Sequence, residues 1–106
     1  MVLPSHCEAA VRVCPRGEYD IARRAEFAQQ MYHAVVSARG RLLVVDLEGV
    51  TFLDASAVGI LQKTRQVARE IGVDFVIANP NDTVCRVMDV LGALPRLVTP
   101  SFHAPN

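Results

Sequence analysis

Asp46-Leu47-Glu48-Gly49-Val50-Thr51-Phe52-Leu53-Asp54-Ala55-Ser56-Ala57-Val58-Gly59-Ile60-Leu61 is the stretch on which the fold turns. It is entered from Leu42-Leu43-Val44-Val45, an unbroken, β-branched apolar run within residues 41–47. Such a run predicts a central strand buried on both faces. Glu48-Gly49 reads as a turn and Val50 to Leu53 as a brief extended segment. Asp54 then starts a helix running to Ile71. Its carboxylate is placed to accept from the amides that a first helical turn leaves unpaired. Ile60, Leu61, Thr64, Val67, Ala68 and Ile71 recur at helical spacing as the inner face, and Lys63, Gln66, Arg69 and Glu70 make the outer one.

The same alternation extends in both directions. Ala9 to Cys14 predicts a strand with Val11 and Val13 on one face, stopped by Pro15, and residues 16–20 read as a turn. Asp20 is placed to cap a helix over Ile21 to Ala38, whose stripe is Ile21, Ala25, Ala28, Met31 and Val35 and which Gly40 ends. After Gly72, Val73 to Ala78 predicts another buried strand. Asn79-Pro80 fits an N-cap and first helical position, Val84, Val87, Met88 and Leu91 a short third helix, and Gly92 its end. Leu97-Val98 is a candidate last strand. Strands alternating with helices predict an α/β fold: a mixed four- to five-stranded sheet with about three helices, mainly on one side. Residues 1–8 are expected as a flexible N-terminus, 9–99 as one domain and 100–106 as a flexible tail.

Composition narrows the function classes. The chain has 106 residues, is 51% hydrophobic and has a formal net charge of zero, which suits one compact domain and gives no basic footprint for nucleic acid. No apolar stretch approaches a membrane span, and the first residues lack the basic and apolar regions of a signal peptide, so a cytoplasmic location without membrane insertion is expected. Cys7, Cys14 and Cys85 form no disulfide framework, and His6, His33 and His103 are scattered. No metal site or cofactor is expected. The thiols read as ordinary core or surface groups, with a redox pairing of Cys7 or Cys14 with Cys85 left open.

On residues alone, the helix start at Asp54 has two readings. It is an ordinary capped helix, or a site where a phosphoryl group on Ser56 is stabilised by free amides and the helix dipole. Three further chemistries fit less well. Asp20, Asp54 and Asp46 gathered at strand ends would suggest a receiver-like, metal-dependent phosphotransfer domain. That design also needs paired acids after the first strand and a lysine at a later strand end, whereas the one lysine, Lys63, is on the outer helix face. A serine-hydrolase elbow and a phosphate-binding glycine loop are both missing.

Residues 52–59 resemble the Asp-Ser-Ser/Thr-Gly-Leu-Gly signature of STAS domains in bacterial anti-sigma factor antagonists. Gly17-Glu18-Tyr19-Asp20, Leu43-Val44-Val45-Asp46-Leu47, residues 72–77 followed by Asn79-Pro80, and residues 84–92 resemble that family's flanking segments in order, over roughly residues 10–98. The resemblance implies a STAS-like fold and a non-enzymatic module that binds an anti-sigma factor of the serine-kinase type, releases a sigma factor and is reversed by serine phosphorylation. This sequence departs from the pattern where the family's phosphoserine directly follows the aspartate: here that residue is Ala55. Ser56 matches the next position and Ala57 replaces a glycine. Either Ser56 is the acceptor or the domain is not switched there. The surface around this helix start is the expected partner-binding face, with Asp20, Asp54, Ala55, Ser56, Val58, Gly59, Lys63 and Gln66, and the oligomeric state, monomer or weak homodimer, is left open. The alternative role is a STAS subunit of a lipid- or anion-transport complex.

Overall fold

The computed structural model describes residues 10–90. The expected termini, Cys7, the stop at Gly92 and the strand at Leu97-Val98 lie outside the described residues. Five strands and three α-helices run in the order β1 (Val11–Val13), β2 (Gly17–Tyr19), a 3₁₀ turn (Ile21–Arg23), α1 (Arg24–Ser37), β3 (Leu42–Asp46), β4 (Val50–Leu53), α2 (Ala55–Glu70), β5 (Asp74–Ala78) and α3 (Asp82–Val90).

The α/β class with three helices is as expected. Among the described residues the strands divide into two sheets, β1-β3-β5 and β2-β4, and every pairing is parallel. β3 is central, with Leu43 opposite Val11 and Phe75, and Val45 opposite Val13 and Ile77. Leu43, Val45 and Ile77 join Phe27, Leu61 and Met88 in one continuous core. Each fully buried side chain of this size contributes about 1.5–3 kcal/mol. α1 packs on α2 and on β1, α2 also on β5 and β4, and α3 on β4.

Three local expectations are corrected. The segment read as a turn before Asp20 is β2, paired with β4 through a register shift at Gly17/Glu18. Gly17 sits at φ +90, a conformation that side chains disfavour, and a Cβ there would meet the Arg23 guanidinium at 3.1 Å. Tyr19 ends β2 in the core, 4.6 Å from Phe27 between ring centroids, with the Arg23 guanidinium 4.3 Å above its ring.

The first helix begins as a 3₁₀ turn over Ile21–Arg23, and only from Arg24 does it continue as α1, with Met31 and Val35 of the expected stripe buried. Ile21, in the 3₁₀ turn, is 73% exposed and Ala25 faces solvent, while Phe27 and Ala34 are buried beside Met31 and Val35. The third helix is capped by Asn81, whose Oδ1 accepts from the Val84 amide at 2.8 Å, and not by Asn79. Asn79 takes a left-handed conformation, φ 56, which asparagine tolerates, and donates to Asp46 at 3.1 Å.

Asp46, at the end of β3, is held on all sides. Its Oδ2 pairs with Arg12 at 2.7 Å and its Oδ1 accepts from the Glu48 amide at 3.0 Å and from Asn79. Burial pushes the carboxyl up, but these three donors together hold it below the usual carboxylate range. A folded-state pKa below the unfolded value of about 3.9 stabilises the fold above that pH, and the contribution is lost as pH falls through the folded pKa. Asp46→Asn should therefore flatten the fall in stability below about pH 4. Urea midpoints measured against pH check this, and parallel curves for native and variant would refute it.

Candidate functional site

β2 and β4 lie side by side with Tyr19 opposite Leu53, and the Asp54 amide donates to the Tyr19 carbonyl at 3.1 Å. The pairing delivers Asp20 and Asp54 to one edge, each at the start of a helix. Asp20 Oδ1 accepts from the Ala22 amide at 3.0 Å. Asp54 Oδ1 accepts from the Ala57 amide at 2.9 Å and from the Ser56 hydroxyl at 2.7 Å. The Ser56 hydroxyl, then the Ala57 amide, hold the Asp54 carboxyl below its usual range, and nearby Arg24 adds to the effect. Two capped helix beginnings thus lie next to one another, and the first turn of α2 is a place where negative charge is favoured.

Ala55 is exposed at this start, whereas Ser56 is half-buried with its hydroxyl committed to Asp54. Lys63 and Gln66 are exposed further along α2, and Gly59 is half-buried between them and the cap. Val58 is a correction: it is 1% exposed and packs in the core, because it follows Ala57 on the buried side of the helix. It positions the helix and offers no contact surface. Thr64 is buried too, its hydroxyl satisfied by the Ile60 carbonyl at 2.7 Å.

The family comparison decides what this helix start belongs to. The family model for the STAS domain matches residues 8–103. The chain belongs to the STAS domain family. Solved structures agree at the level of the fold. A candidate anti-sigma factor antagonist from Thermotoga maritima matches with a TM-score of 0.75 at 16% identity, over 92% of this chain and 81% of that one. The cell fate determinant SpoIIAA of Bacillus, in its phosphorylated form, matches with a TM-score of 0.64 at 18% identity, over 92% and 85%. The STAS domain of a SulP transporter from Vibrio cholerae matches with a TM-score of 0.65 at 17% identity, over 97% and 77%.

Within this STAS domain, sequence reasoning missed a groove beside the helix start. The groove is open, encloses about 680 Å³ and runs between α1 and α2, lined from Arg24 to Val35 on one side and from Ser56 to Val67 on the other. Tyr32, 61% exposed, stands in its wall. A sequence reading does not show it, because the apolar stripe assigns Ala25 to the core and leaves Arg24 on the outer face, whereas both line the groove. No described helix is long and apolar enough to cross a membrane.

Each of the acids that suggested a receiver-like centre is engaged within the fold. Asp46 closes the three-stranded sheet with Arg12, while Asp20 and Asp54 cap helices. Among the described residues no His, Cys, Asp and Glu gather as a metal-binding group. Cys14 and Cys85 are free thiols. Burial, and then Asp82, push the Cys85 thiol upward, which lowers its share of reactive thiolate.

Proposed function

We propose that this STAS domain is an anti-sigma factor antagonist that binds an anti-sigma factor of the serine-kinase type in the cytoplasm and so frees a sigma factor. It acts by binding and not by catalysis. The observation that carries the reading is the exposed start of α2: Ala55 outermost, Ser56 behind it, and the Asp20 cap alongside. Asp20, Asp54, Ala55, Ser56, Gly59, Lys63 and Gln66 form the proposed contact face. Lys63→Glu should weaken anti-sigma binding chiefly by slowing association at low salt. An unchanged association rate in surface plasmon resonance removes Lys63 from the footprint.

Ser56 is the candidate phosphoacceptor. A phosphoryl group there would put about two negative charges on the contact face. The hydroxyl must first leave Asp54, and a hydrogen bond to a charged group is worth about 1.5–3 kcal/mol, so phosphorylation should be at least about tenfold slower than at a free hydroxyl. Ala55→Ser adds a hydroxyl at the exposed position and should be labelled faster, at residue 55. Phosphopeptide mass spectrometry after incubation with the anti-sigma kinase and ATP distinguishes the two. No label on Ser56 of the native chain would mean a constitutive antagonist.

A second reading is favoured by Ala55 itself. A STAS subunit of a lipid- or anion-transport complex has no need of a phosphorylatable serine, and the transporter STAS domain from Vibrio cholerae shares the fold. Capture of a permease or transport ATPase by the immobilised chain, with no anti-sigma kinase retained, would support it.

A further inference from the structure

We propose that the groove between α1 and α2 is the seat of an acidic amphipathic helix presented by the partner protein. This rests on the reading of the chain as a partner-binding module and specifies what the partner brings. The groove runs from Arg24 to Val35 and from Ser56 to Val67, which at the rise of an α-helix is about 16 Å, or three turns. Its floor is apolar, from Ala28, Val35, Ile60 and Val67. Tyr32 is an exposed aromatic anchor in its wall, the residue type that dominates binding energy at such interfaces. An apolar stripe at i, i+4, i+7 and i+11 matches that length and chemistry.

Charge selects the flanks of the incoming helix. Among the described residues the only charged ones lining the groove are Arg24 and Lys63, both cationic, and neither side chain is in an ion pair or hydrogen bond. The carboxylate near Arg24, that of Asp54, accepts through Oδ1 from Ser56 and Ala57 and attracts Arg24 without forming an ion pair with it, which leaves Lys63 as the less compensated of the two cations. A small ligand is a poorer fit. Small-molecule sites enclose the ligand and orient it with convergent polar groups. Here the groove is open, and the hydroxyls of Ser56 and Thr64 are already engaged with Asp54 and the Ile60 carbonyl.

The test uses the whole chain and three probes: a synthetic helical peptide with leucine at i, i+4, i+7 and i+11 and glutamate flanks, its lysine-flanked counterpart, and laurate. The glutamate peptide should bind saturably, at least about tenfold tighter than the lysine one, a difference of about 1.4 kcal/mol. Amide shifts should be confined to α1 and α2. Arg24→Glu with Lys63→Glu, both at surface positions, should keep the far-ultraviolet spectrum and reverse the preference. Equal affinity for the two peptides, shifts mapping elsewhere, laurate alone filling the groove, or a self-associated chain whose second copy blocks it would each overturn the proposal. Full affinity of the double variant for an anti-sigma kinase would sink the groove and leave the antagonist reading intact. Peptide binding without any kinase binding would do the reverse.

Discussion

Leu61→Ala should lower the unfolding free energy by about 3 kcal/mol, within the range of about 2–5 kcal/mol for truncating a buried leucine. Leu61 is fully buried in the middle of α2 and belongs to the same cluster as Val45, Leu53 and Met88. Removing its isopropyl group forfeits transfer free energy and leaves a cavity that α2 cannot close, because the helix is held by packing against α1, β4 and β5. A domain of this kind has about 5–15 kcal/mol in total, so the variant should fold but melt early. Urea denaturation is the check: the midpoint should drop with the slope unchanged. A loss below about 1 kcal/mol would mean that α2 is not the packed backbone of the site.

The second large effect concerns binding and leaves stability nearly untouched. Ser56→Glu should weaken anti-sigma binding about 100-fold, equivalent to about 2.7 kcal/mol. The substitution removes the hydroxyl that donates to Asp54 and sets a carboxylate beside it on the contact face. Stability has offsetting terms. The repulsion from Asp54 is unfavourable, but an acidic residue in the first turn of a helix gains about 0.3–1 kcal/mol from unpaired amides and the helix dipole. Melting and binding should therefore separate, with the urea midpoint nearly constant while calorimetric affinity collapses. Unchanged affinity would show that the partner does not touch the start of α2. A collapse of both together would show that the side chain acts only through the fold.

Much of this architecture is legible in sequence because local and tertiary preferences agree. The apolar run at Leu42 to Val45 sits in β3, and the helix from Asp54 has its cap, period and glycine stop in one place. β2 reads as a turn in sequence because Gly17-Glu18 is turn-like locally. Its partner, β4, is more than thirty residues away, and only that pairing makes it a strand. The same pairing places Asp20 beside Asp54, so the doubled helix start is invisible from either segment alone. Val58 reads as a surface residue because it stands inside the motif; a helix turns about 100° per residue, which carries it to the core beside Ala57. The groove is concealed because an apolar stripe assigns Ala25 and Ala28 to the core, whereas they line an open surface between α1 and α2.

Calorimetric titration of the native chain into an anti-sigma kinase that holds its sigma factor bears most directly on the central claim. The expected result is saturable binding with release of the sigma factor, weakened by Ser56→Glu and left intact by the conservative surface change Arg69→Lys on the exposed last turn of α2. Binding that ignores Ser56→Glu, or no sigma release at saturating concentrations, would contradict an antagonist that works through the start of α2.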